Sequence, residues 1–214
     1  LYLRSFGRLR WDSEPDSDLP PDGFIHLPPS ISTEVNSIYY RTSRFVKPVE
    51  FTGPIEIHLF ASIDTEDANF LVNLYEIYPD GTRSYMPRYG ALKASHPLNK
   101  EKSTIGSPVH DHTVSIPVTP GEIKEYVIEI NPTAIVIPAG HMLELEITSM
   151  NPNPSHTQSW TGKVGNMGVI PSNTTTSYKI YRDKDYQSYI LMPEIPYTPE
   201  ELWVQPINDT SVEY

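Results

Sequence analysis

The sequence contains no cysteine, which excludes disulfides, thiolate metal centres and a cysteine nucleophile. Long apolar runs are missing as well. None approaches the roughly eighteen residues needed to span a bilayer, and the opening residues do not read as a signal peptide. Basic residues are scarce: 16 Lys+Arg stand against 27 Asp+Glu, giving a net charge of -11. A field of that sign repels phosphate backbones and anionic lipid surfaces, so neither nucleic acid nor a membrane is expected as a partner. Proline, by contrast, is abundant, with 22 in 214 residues, about twice the usual share. Together with glycine it interrupts the chain about every six or seven residues, whereas a typical helix needs about three unbroken turns. A helix bundle is excluded.

Hydrophobic residues make up 38 % and aromatics 11 % of the chain, too much for a disordered polypeptide. The length suits one domain with a real core. Residues 1–36 are rich in proline and aspartate and read as an irregular segment wrapping the body. From Ser37 onward, β-type segments alternate with turn signals. Ile55, Ile57, Leu59 and Ala61 alternate with Glu56, His58 and Phe60, and Phe70, Val72 and Leu74 repeat the pattern before the turn Tyr78-Pro79-Asp80-Gly81. Further on, Tyr126–Ile130 and Leu143–Ile147 interleave apolar and acidic residues, so one face is expected in the core and the other in water. Thr176–Tyr181 and Tyr189–Met192 are expected closing strands, and residues 194–214 a surface tail. The fold class is all-β, a jelly-roll β-sandwich over residues 37–193. The sequence opens on Leu1 and its first methionine is Met86, as expected for a piece of a longer polypeptide.

Chemistry is harder to find. No G-x-S tripeptide occurs, so the nucleophile elbow of a serine hydrolase is not written here, and no catalytic residue is expected. His110 and His112 flank Asp111; on an extended strand they would point to one side and offer two imidazoles to an ion. The plainer reading is a polar loop, with no metal. Asp64, Glu66, Asp67 and Asn69 form an oxygen-rich loop of the kind calcium prefers, but without EF-hand spacing. Asx hydrogen bonds within a turn are the preferred account. Gly162, Gly165 and Gly168 lack the strand and helix of a dinucleotide fingerprint, so no cofactor is expected. Trp11, Trp160 and Trp203 could stack on sugars or anchor a core. Asn173-Thr174-Thr175 and Asn208-Asp209-Thr210 fit the glycosylation sequon.

Several stretches, taken in order, resemble a known family. They are Thr52–Asp64 with Asp67–Phe70, Gly90–His96, Thr119-Pro120-Gly121-Glu122 through Pro132 to Ala139-Gly140-His141 and Leu143–Ile147, and Ile180–Asp183 with Ser188–Pro193. The set resembles the C-terminal, non-catalytic domain of the X-Pro dipeptidyl-peptidases and cocaine-esterase-like (CocE/NonD) acyl hydrolases. The resemblance implies a galactose-binding-like jelly roll attached behind an α/β-hydrolase domain, which is the expected partner. In that family the Ser, Asp and His of the triad lie in the hydrolase part, so none is carried over; His141 matches a motif histidine and reads as a turn residue. The strand after His141 reads Met-Leu-Glu-Leu-Glu-Ile, where arginines are usual in the family. A domain separated from its hydrolase should bare an apolar patch, sought near Phe24–Leu27 and Trp160, and could self-associate through it. The alternative is a free-standing carbohydrate-binding module.

Overall fold

The computed structural model describes residues 1–15, 19–150 and 171–196. Its strands, twelve in all among these residues, join into one mostly antiparallel sheet. The spine is β5 (Val49–Ile63), whose inward residues Ile55, Ile57, Leu59, Ala61 and Ile63 are buried at a period of two. β8 (Lys124–Ile137) covers one edge of β5, from Val49↔Ile137 to Ala61↔Lys124. The other edge is shared end to end by β12 (Glu194–Ile195), β11 (Tyr189–Leu191) and β10 (Thr176–Ile180). β3 (Asp22–His26) lies outside β10. From β11 the sheet runs on through β1 (Tyr2–Arg4), β2 (Arg8–Arg10), β4 (Ser37–Arg41), β9 (Met142–Thr148) and β6 (Asn69–Ile77) to β7 (Arg83–Lys93).

The sheet turns back on itself, so that β7 comes against β8. Gly90 makes that approach possible. A Cβ there would lie 2.1 Å from the carbonyl oxygen of Glu129, so no other residue fits without moving backbone. Enclosed between the layers are Phe70, Val72 and Leu74 of β6, Ile128 and Ile130 of β8, and Leu143, Leu145 and Ile147 of β9. Burying each such side chain stabilises the fold by about 1.5–3 kcal/mol.

The segment expected to be irregular over residues 1–36 contributes β1, β2 and β3. These strands are only three to five residues long, too short to show periodicity, and tertiary pairing with β11, β4 and β10 creates them. The β1–β2 turn is tight: Phe6 and Gly7 both have positive φ (62° and 65°), and a Cβ on Gly7 would meet the Tyr39 carbonyl oxygen at 2.6 Å. β8 also runs past Ile130, through Pro132. The register shifts between Gly53 and Ile55, so Asn131 and Pro132 face Pro54 across a bulge, where a missing N–H breaks no ladder bond. The turn Tyr78–Gly81 forms as expected, Gly81 N donating to the Tyr78 carbonyl at 2.9 Å with φ of 88°.

One expectation is overturned. The outward face of β9 is not wet: Glu144 and Glu146 are 0 % exposed. Glu144 accepts from Arg41 Nε through one oxygen and from Arg83 Nε, at 2.5 Å, through the other. Glu146 Oε2 accepts from the Tyr75 hydroxyl (2.9 Å) and Asn73 Nδ2 (3.1 Å), with Arg83 Nη2 at 3.7 Å. The Arg83 guanidinium also lies 3.4 Å from the centre of the Tyr75 ring. Burial, followed by the Glu146 charge, pushes the Tyr75 phenol well above its ordinary range.

Candidate functional site

The β5–β6 loop (64–68), the end of β7 and the segment 171–174 ahead of β10 surround an open cleft of about 1020 Å³. Asp67, Asn69, Lys93, His96, His112 and Ser172 are among its lining residues. Asp67 holds the cleft's floor together. Its Oδ1 accepts from the backbone N–H of Ala68 and of Ser95, each at 3.0 Å, while Oδ2 pairs with Lys93 Nζ at 2.7 Å. Asp64 Oδ1 accepts from Ser177 N at 2.7 Å, tying the loop to β10. These carboxylates therefore act as Asx-type staples on backbone donors. No group of three candidate metal ligands converges among the described residues.

His110 and His112 do not lie on a strand. His110 forms a single bridge to Leu98, and the chain then bends at His112 and Thr113, where Asp111 Oδ1 accepts from the Thr113 N–H (2.8 Å) and hydroxyl (2.6 Å). The bend leaves the His110 and His112 rings 6.3 Å apart and carries His112 to a different partner. That partner is His96, with the two Nδ1 atoms 2.8 Å apart and the rings at 81°. Burial, and then the neighbouring His112, lower the His96 pKa, and burial likewise lowers that of His110. Sequence reasoning missed His96 because fifteen residues separate it from its partner, and no periodicity joins them.

A Ser–His contact exists elsewhere but has no catalytic form. Buried His26 meets Ser149 Oγ at 2.8 Å through Nδ1 and the Ser172 carbonyl at 2.9 Å through Nε2. The carbonyl can only accept, so Nε2 carries the proton and Nδ1 accepts from the serine. Among the described residues no carboxylate orients the ring, and both His26 and Ser149 are buried. His141 stands at the turn into β9, as expected, with Nδ1 2.6 Å from Glu76 Oε1. Trp11 is 51 % exposed, donates to Glu194 Oε2 at 3.3 Å and packs edge-on against Phe45. Among the described residues no Trp, Tyr or Phe lines the cleft. Phe24 does not contribute to a bare patch; it stacks at 4.4 Å on Tyr178 within the core, while the adjacent Ile25 is half exposed. Asn173 is exposed within a Ser172–Thr174 turn. Trp160, Trp203, Gly162, Gly165, Gly168 and Asn208 lie outside the described residues.

The described residues form an all-β body without helices. The chain belongs to the X-Pro dipeptidyl-peptidase C-terminal non-catalytic domain family, whose pattern it matches over residues 12–191. It is 28 % identical over 156 residues to a cocaine esterase from Rhodococcus sp. (strain MB1 Bresler), a match covering 73 % of this chain and 25 % of that protein. Among solved structures, it is similar to a CocE/NonD family hydrolase from Staphylococcus aureus, with a TM-score of 0.69 and 20 % identity. That likeness covers 92 % of this chain and 36 % of the other. An aminopeptidase from the marine sediment archaeon Thaumarchaeota archaeon gives a TM-score of 0.64 at 16 % identity, covering 92 % and 36 %. The chain thus spans about a quarter of the curated relative, and its homologues are domains within larger hydrolases.

Proposed function

We propose that this chain is the C-terminal β-sandwich of a serine acyl or peptidyl hydrolase, a jelly roll of the galactose-binding-like type. It stabilises the α/β-hydrolase part of the same parent protein and helps to wall its active site. The observation that carries this reading is the family match over residues 12–191 in a chain that spans only 25 % of the esterase it resembles. Residues 37–193 form the body of the domain in this reading, with residues 1–36 and 194–214 laid over it. The triad belongs to the hydrolase part, and this chain contributes packing surface and loops. Phe6 and Val46, at 84 % and 96 % exposure, are large apolar side chains of the kind that such packing would cover.

The decisive test is the coding sequence ahead of Leu1. An open frame carrying a G-x-S-x-G elbow supports the reading, and a frame without one removes it. A second test uses the chain itself. It should leave p-nitrophenyl esters and X-Pro anilides at the background rate and take no fluorophosphonate label. Stoichiometric labelling of one serine here would show a nucleophile and overturn the non-catalytic assignment.

A further inference from the structure

The His96–His112 contact is unusual in its chemistry. Two Nδ1 atoms 2.8 Å apart cannot both present lone pairs, nor both carry protons. Either one proton sits between them or a cation does. The spacing is close to what one ion imposes on two nitrogens. With metal–nitrogen bonds of about 2.0–2.1 Å, cis ligands lie about 2.9 Å apart at a right angle and about 3.3 Å apart at a tetrahedral one. A ring rotation of a few tenths of an ångström covers the difference.

Both histidines stand on backbone that is already fixed. His96 N donates to the Lys93 carbonyl at 3.0 Å, next to Ser95, whose N–H is held by Asp67. His112 follows Asp111, whose N–H donates to the Pro97 carbonyl at 3.0 Å and whose carboxylate is closed on Thr113. Such prior ordering lowers the entropy cost of gathering ligands. Both residues line the open cleft, so an ion has access and water can fill its remaining positions. The chain's net charge of -11 favours cations.

We propose that His96 and His112 together bind one borderline divalent transition-metal ion of the Zn2+, Ni2+ or Cu2+ class. The ion clips the turn at 93–97 to the segment at 109–113 across the mouth of the cleft. Imidazole nitrogen suits these ions, whereas Mg2+ and Ca2+ prefer oxygen, so selectivity follows from the donor type. The site is independent of the hydrolase reading, since it uses only residues of this chain.

Isothermal titration of the chelator-treated chain with Zn2+ and with Ni2+ tests this, with Mg2+ and Ca2+ as controls. One ion per chain should bind, with no heat from the hard cations. His96→Ala and His112→Ala should each weaken binding at least tenfold, while His58→Ala leaves it unchanged. A wild-type measurement guards against variants that lose their fold. In 15N-labelled chain, Zn2+ should shift the Nδ1 resonances of His96 and His112 and leave those of His26 and His141 in place. Absence of binding below millimolar metal, titration heat that survives in the double variant, or shifts confined to other histidines would each overturn the proposal.

Discussion

β8 and β9 carry the same alternation of apolar and acidic residues, yet their acids meet opposite surroundings. On β8, Glu125 and Glu129 are exposed; on β9, Glu144 and Glu146 are fully buried. Neighbours make the difference. β8 is hydrogen-bonded only to β5 among the described strands, so the outward Glu125 and Glu129 reach water. β9 lies between β4 and β6, and both glutamates have a cross-strand partner on each side: Arg41 and Tyr75 beside Glu144, Tyr39 and Asn73 beside Glu146. Alternation tells which residues turn away from the core. Flanking strands decide whether that second face is wet.

The most damaging test of this contrast is Arg83→Ala. Arg83 reaches both buried carboxylates, and removing one member of a buried ion pair costs about 3–5 kcal/mol. Urea unfolding should show that loss; a change below about 1 kcal/mol would mean that the acids of β9 are as solvated as those of β8. Next comes Gly90→Ala, which drives a methyl into the β8 backbone and should cost about 1–3 kcal/mol by thermal melting. An unchanged melting temperature would show that β7 and β8 are not in contact.

Tyr75→Phe should cost about 1–2 kcal/mol, because Glu146 loses a buried donor. It should also alter the alkaline limb of stability. The Tyr75 phenol titrates higher in the fold than its ordinary 10, as do those of Tyr40 and Tyr178, mainly through burial. The folded state therefore holds more protons than the unfolded one above pH 10. Stability is present below that value and is lost as pH rises through the raised folded pKa values. Unfolding curves between pH 8 and 11.5 should slope downward above 10, less steeply in Tyr75→Phe. The smallest effect belongs to the wet face: Glu129→Gln should stay within about 0.5 kcal/mol.

Much of the body is legible from the residues, because β5, β6, β9, β10 and β11 owe their form to local alternation or turn chemistry. β1, β2 and β3 are not, since they are only three to five residues long and the burial of Leu3, Leu9 and Phe24 depends on distant strands. β7 is masked by Pro87 and Gly90, which read as breakers, although Gly90 marks close approach of another backbone. The cleft follows the same rule. The Asx role of Asp67 can be read from residue type alone, but the meeting of His96 with His112 depends on how the intervening loop folds back. The jelly-roll expectation came from the number of strands, and the burial of Glu144 and Glu146 from no local signal.

The placement of β5 has a consequence for how the chain is made. Residues 49–63 leave the ribosome well before residues 124–137, 176–180, 189–191 and 194–195, which fill their two edges. The central strand is thus completed last, by partners that must be brought back across long loops. Such non-local pairing is slow, and an unpaired apolar strand is the segment on which nascent chains cross-associate. Truncation anywhere before residue 176 leaves one edge of β5 bare, so premature termination should yield aggregates and not a smaller folded domain.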